Sequence, residues 1–243
     1  NGYDLELAWN DRIGDLTYGI SVNFSDFVSK MGDLGGTEFL GDQVKIKGSE
    51  FNEWYGYLSD GLMLTDEDLK GPKLNDNVQL GDIKYKDISG PDGVPDGKIS
   101  PEYDRVLLGG SLPRFQYGGT LNLGYKGIDF SVAFQGIGRR NTRLSPAMVQ
   151  PLQSNWGNTP AIIDGNYWSE KNTEAQNAQA LYPRLSYANN AINYAMSDFW
   201  MFNGRYFRLK NLTLGYTLPA AWTEKVMIKR ARVYVAANDL FCI

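Results

Sequence analysis

The sequence has no histidine and a single cysteine, Cys242. Ser-His-Asp and Cys-His catalysis, His-ligated zinc and an internal disulfide are therefore excluded. Net charge is −4 and the pI near 5.0, so the broad basic surface that a phosphate backbone requires is missing and nucleic acid is not an expected partner. No apolar run approaches the ~20 residues of a membrane helix. The opening "NGYDLELAW" has neither a basic nor an apolar leader region, so any export signal is expected upstream or removed. A chain of 243 residues with 42% hydrophobic, 13% aromatic and 21% charged residues is not disordered. The absence of helical spans leaves the other solution to a bilayer, a closed barrel of alternating strands.

Alternation is what the sequence does contain. In "RFQYGGTLNLGY" one parity holds Phe115, Tyr117, Leu121, Leu123 and Tyr125, and the other Gln116, Gly118, Thr120, Asn122 and Gly124. After Lys126 and Gly127, "IDFSVAFQG" sets Ile128, Phe130, Val132 and Phe134 against Asp129, Ser131, Ala133 and Gln135, which predicts a tight hairpin. "YDLELAW" and "LTYGISVNF" repeat the scheme as a second hairpin across "NDRIGD". "NLTLGYTLP" and "ARVYVAAN" supply the fifth and sixth strands. Upstream in the fifth, Arg208 and Lys210 share the apolar parity, so that strand is expected to enter the interface there or to change register.

Connections alternate between short and long: short after the first strand, long over Gly32 to Pro113, short at Lys126 and Gly127, long over Asn141 to Asp198, medium over Pro219 to Arg230. An outer-membrane barrel sorts its connections this way, short turns on the periplasmic side and long loops outside, whereas a soluble sandwich has no reason to. Patterning by itself leaves the barrel level with a secreted antiparallel β-domain carrying two decorated loops. Tyr3, Trp9, Tyr125 and Tyr216 near strand ends suit an interfacial girdle or an ordinary core equally.

The stretch "GDIKYKDISG…DGKISPEYDRVLLGGSLPRFQYGGTLNLGYKGIDFSVAFQG", followed by "YFRLKNLTLGYTLP" and "RVYVAANDLF", resembles the closing strands of SusC/RagA-type TonB-dependent outer-membrane transporters. The resemblance runs in order along essentially the whole chain. It implies an all-β, antiparallel transmembrane barrel of about 22 strands with long extracellular loops, here about 32–113 and 141–198, in the bacterial outer membrane. It also implies an internal plug, energy from TonB and uptake of glycan or peptide fragments under a SusD-like surface lipoprotein. With no plug domain, no TonB box and six strand candidates, the chain is expected to be a C-terminal fragment whose partners are the rest of the barrel with its plug, the lipoprotein, TonB through the parent protein, and lipid. No catalysis is expected. The alternative from another class is a soluble, calcium-braced β-domain that binds glycan at a cell surface; an enzyme using Glu102 and Asp104 comes third.

Two loop segments hold the candidate site residues. "GDIKYKDISGPDGVPDGKIS" is rich in Asp and Gly, and Asp96, Gly97 and Lys98 fit positions 5 to 7 of an EF-hand-type loop. The rest fits poorly: Asp92 falls at position 1 but Val94 at 3, and Tyr103 takes position 12 with Asp104 one place late. The family's compact form would bring in Asp87 and Ser89 instead. Calcium held by Asp87, Asp92, Asp96, the Lys98 carbonyl and Asp104 therefore stands beside a loop whose aspartates cap their own turns. In the second loop Trp156, Trp168, Tyr182 and Arg184, among amides, suit contact with a sugar, and suit loop packing better.

Overall fold

The computed structural model describes residues 1–143, 150–152, 159–186 and 191–243. In chain order the strands are β1 (Gly2–Ile13), β2 (Leu16–Phe27), β3 (Glu38–Leu40), β4 (Gln43–Lys45), β5 (Glu53–Tyr57), β6 (Ser59–Leu62) and β7 (Ile83–Tyr85). They continue with β8 (Arg105–Gly110), β9 (Arg114–Tyr125), β10 (Ile128–Arg139), β11 (Asn141–Arg143), β12 (Met201–Asn203), β13 (Tyr206–Thr217) and β14 (Arg232–Cys242). The only α-helices among the described residues are two short ones, α1 (Glu174–Ala178) and α2 (Ala220–Thr223), and no helix is long and apolar enough to cross a membrane.

The chain forms two units, and the boundaries follow the connection lengths. The first comprises residues 1–29, 112–140 and 203–243. It is one antiparallel sheet in the order β1-β2-β9-β10-β13-β14, so the six expected strands all form and pair in the expected sequence. Strands of 11 or 12 residues are long enough to cross a hydrocarbon layer when tilted. The order is open: β1 and β14 are edges.

Register shows what each face is made of, because directly paired residues point to the same side. The row Leu7–Val22–Gly119–Phe134–Leu209–Phe241 crosses the whole sheet on one face, and Trp9–Ile20–Leu121–Val132–Leu212–Ala237 runs beside it. The other face carries the row Ala8–Ser21–Thr120–Ala133–Asn211–Asn238. Where the apolar face has a glycine, an aromatic ring covers it: Phe134 lies against Gly119 and Tyr117 against Gly136, a closeness no Cβ would permit.

The cations of the fifth strand are handled by a register change. A shift between Leu209 and Asn211 leaves Lys210 extra, so Leu209 pairs with Phe134 and Phe241 on the apolar face while Arg208 pairs with Gln135 and Cys242 on the polar one. Phe207, restored to the apolar side, stacks with Phe134 at 5.7 Å and packs at a tilt against Phe241 at 6.0 Å. The bulged residue itself is neutralised, Lys210 Nζ lying 3.1 Å from Asp239.

The second unit, residues 30–111 and 141–202, is the pair of long insertions. Its sheets are small, β3-β4-β5-β8 and the ribbon β6-β7, and it has a buried core of Tyr57, Leu62, Ile83, Tyr85, Ile99, Trp168 and Trp200. Residues of both insertions make that core. Trp200 is wrapped by rings, Phe199 at 4.9 Å, Tyr194 at 5.3 Å and Tyr182 at 6.0 Å.

Candidate functional site

The sheet sorts its ends as well as its faces. At one end sit Gly14 and Asp15, Lys126 and Gly127, and the β13–β14 connection, all shorter than the insertions. At the other end β2 and β9, then β10 and β13, open into the two long insertions. Arg114 pins that end: its guanidinium holds Asp26 through Nε at 2.5 Å and Nη2 at 2.6 Å, and the Phe115 amide adds a bond at 3.1 Å. Asp26 is 6% exposed, and two charge-assisted bonds from one planar fork are what allow a carboxylate there.

On the polar face, hydroxyls and amides satisfy one another along the wall. Ser131 Oγ donates to Asn122 Oδ1 at 2.7 Å, Asn211 Nδ2 to Asn238 Oδ1 at 2.8 Å, and Gln135 Nε2 to the Tyr206 hydroxyl at 3.3 Å. Arg232 and Asp129 form an ion pair on the same side. An open cavity of about 620 Å³ lies against this wall, with Glu6, Asn23, Gln116, Thr120, Gln135 and Lys210 among its lining. Such a surface offers many hydrogen-bond donors and acceptors, with Glu6 and Lys210 as its charged members.

In the second unit the acidic loop is built by its own aspartates. Asp104, 1% exposed, accepts from three backbone amides: Ile88 at 2.9 Å, Ser89 at 3.2 Å and Ser100 at 2.6 Å. Asp87 Oδ2 accepts from the Gly97 amide at 2.6 Å, and Asp96 Oδ1 from the Lys98 amide at 3.0 Å. Asp92 stays exposed, and Asp87 Oδ1 is buried with no hydrogen-bond partner among the described residues. No group of three or more Asp, Glu, Cys or His residues placed to hold a metal occurs among the described residues.

Of the aromatic-loop residues, Trp156 lies outside the described residues. Trp168 is 9% exposed and lies against Gly81, whose φ of +83° and absent Cβ make room for the ring. Its amide donates to the Tyr182 carbonyl at 3.0 Å. Arg184 Nε donates to Asp82 at 2.6 Å. Trp168 and Arg184 also line an open cavity of about 460 Å³ with Gln79, Tyr167 and Glu170.

Sequence reasoning did not find the centre of this unit, a polar network on Asp82 and Asn193, both 0% exposed. Asp82 takes Arg184, the Asn193 amide at 2.9 Å and the Gln79 N–H at 2.8 Å, while Asn193 Oδ1 accepts from the Ile83 amide at 2.8 Å. Its carbonyl accepts from Trp200 Nε1 at 2.6 Å. Asp82 and Asn193 are 111 residues apart, and no local spacing announces them.

An open antiparallel sheet, lipophilic on one side and polar on the other, with short turns at one end and long insertions at the other, defines a section of an outer-membrane β-barrel wall. The comparisons give what it is similar to. Along 98% of its length the chain is 28% identical to TonB-dependent receptor P3 and 25% identical to TonB-dependent receptor P26, both from Formosa agariphila. It spans 24% of the length of each. Solved structures of the RagAB peptide importer, in its open-open and closed-closed states, share the fold over the whole chain at TM-scores of 0.69 and 0.70, with 20% and 18% identity and 25% of their own chain covered. No family model matches. The resemblance to SusC/RagA-type TonB-dependent transporters read from the residues therefore holds in both sequence and fold, and the sheet's place is the bacterial outer membrane.

Proposed function

We propose that this chain is the C-terminal part of a nutrient importer, the polar face of its sheet lining the lumen and its two insertions forming extracellular loops. The parent would take up oligomeric cargo, glycan or peptide, beneath a SusD-like lipoprotein with energy delivered through TonB. The observation that carries this is the coincidence of two sortings in one sheet, apolar from polar by face and short from long by end, which only a membrane wall requires. The relatives' names, and the description of the RagAB complex as a peptide importer, support it. For the loop unit, Trp168 and Arg184 are the proposed cargo contacts because they line its open cavity.

The test is uptake in the parent transporter. Replacing residues 150–186 by a short linker should abolish uptake while the heat-modifiable barrel persists in the outer membrane. Uptake at the normal rate, or surface labelling of the short turns at Asp15 and Lys126 in intact cells, would overturn the reading.

A further inference from the structure

The β13–β14 connection differs from the other turns at its end of the sheet, because it has a folded structure of its own. Pro219 opens α2, a 3-10 turn follows at Glu224–Val226, and Met227 closes it with a left-handed φ of 58°. The Ile228 amide bonds back to the Thr223 carbonyl at 3.0 Å, and the Leu218 amide to Ala231 at 2.9 Å. Thr223 is buried.

Order of this kind would normally hide apolar side chains, yet Trp222 is 62% and Met227 94% exposed, and Ile228 is exposed beside them. Lys225, Lys229 and Arg230 are exposed too, against one carboxylate, Glu224. Three cations less one anion give the turn a charge of +2 within a chain of −4. At the neighbouring turn Lys126 Nζ lies 5.4 Å from the Tyr125 ring and 3.5 Å from Asp15, so the surplus of cations belongs to the β13–β14 connection.

Aromatic and aliphatic side chains interleaved with flexible cations match one environment, the headgroup layer of a bilayer, where rings sit at the acyl boundary and ammonium and guanidinium groups reach phosphates. The turn also continues the lipophilic face, which runs out to it through the paired Tyr216 and Val233. We propose that residues 219–231 form a headgroup clamp, binding the phosphates of anionic phospholipid in the leaflet at the short-turn end. This rests on reading the sheet as a barrel wall. A protein partner is the competing occupant, but it would not need the turn to be continuous with the lipophilic face.

The experiment uses the full-length parent transporter with Cys242→Ser, labelled at Met227→Cys with an environment-sensitive fluorophore, in nanodiscs of phosphatidylcholine with or without phosphatidylglycerol. Mass spectrometry of the detergent-released protein gives the ratio of the two lipids retained. Each cation near an anionic surface contributes about fivefold, so Lys225→Gln/Lys229→Gln/Arg230→Gln should lower the phosphatidylglycerol preference by roughly tenfold or more, and the label should shift to the red. Equal retention of both lipids by the unsubstituted turn, or an unchanged ratio in the triple variant, overturns the clamp. So does a cross-linker on Met227→Cys that joins a protein and no phospholipid in cells, which means a protein covers it. A second label at Leu123→Cys is read separately: if it meets water, the barrel reading has failed and not only the clamp.

Discussion

The two units of this chain solve the same problem in opposite senses. In the sheet large apolar side chains are exposed, Leu7 58%, Trp9 63% and Val235 72%, and polar side chains bond one another along the opposite face. In the loop unit Ile83 is 0% and Met63 1% exposed, and the polar groups at the centre, Asp82 and Asn193, are fully committed to hydrogen bonds. A lipid solvent removes the need for an apolar interior and imposes instead the need to pair every backbone group, which a sheet does by itself. The loop unit builds a conventional core from segments too irregular to pair regularly, so it relies on buried side-chain networks to fix register. The contrast implies that single substitutions should fail differently in the two units.

The largest effect should come from the loop network. Asp82→Ala leaves the Arg184 guanidinium, the Asn193 amide and the Gln79 N–H without the buried carboxylate they share, which should cost about 3–5 kcal/mol. Hydrogen exchange in the parent transporter should show residues 79–85 and 191–200 losing protection together, with β9 and β10 unchanged. Protection intact around Ile83 would mean the network is peripheral and the core is held by its rings alone.

Next comes the sheet, where the same chemistry reverses. Leu123→Arg puts a cation on the lipophilic face and should cost about 2–4 kcal/mol if the site is near the midplane, whereas Asn122→Arg, one residue away, should be tolerated because its side chain faces the polar wall. Barrel stability in lipid against urea separates the two variants. Similar values for both would erase the distinction between faces.

That distinction was legible in the sequence because it is local: a period of two survives in any window of a strand, and paired windows reveal the hairpin. All six strands, their order and the parity of residues such as Phe130 and Asn122 could be read this way. The parity of Arg208 conflicted with its neighbours, and that conflict located the bulge at Lys210 without showing which of two resolutions applied. The loop unit was opaque for the converse reason. Its core joins Ile83 to Trp200 and its ion pair joins Asp82 to Arg184, contacts across about a hundred residues that leave no periodic trace. In the acidic loop, composition could suggest oxygen ligands but not show that Asp104 is occupied by three amides. The arginine of "YPR" read as a candidate for ligand contact, and nothing local announced that it also binds a buried aspartate of the first insertion.

The smallest effect should be a pH dependence confined to the loop unit, where Lys84 Nζ lies 2.8 Å from Asp68. The ammonium, aided by the Thr65 hydroxyl and the Thr65 and Leu64 amides, holds the Asp68 carboxyl down to about 2, against the opposing effect of burial. A folded-state value below the unfolded one means the carboxylate stabilises the fold fully above the ordinary carboxylate range and loses that contribution as pH falls from about 4 toward 2. The difference corresponds to about 2 kcal/mol, an upper bound because the Lys84 side chain is 31% exposed and water screens the pair. Lys84 is raised by the same partner, so the pair also weakens at high pH, when the ammonium finally deprotonates. Protection of the Leu64 and Thr65 amides, both bonded to Asp68 Oδ2, should therefore fall between pH 4 and 2 (range from) and be flat across it in Asp68→Asn. Because the sheet's backbone pairing needs no such carboxylate, amides in β9 should not follow the same curve. If they do, acid is loosening the whole chain and the two units are not energetically separate.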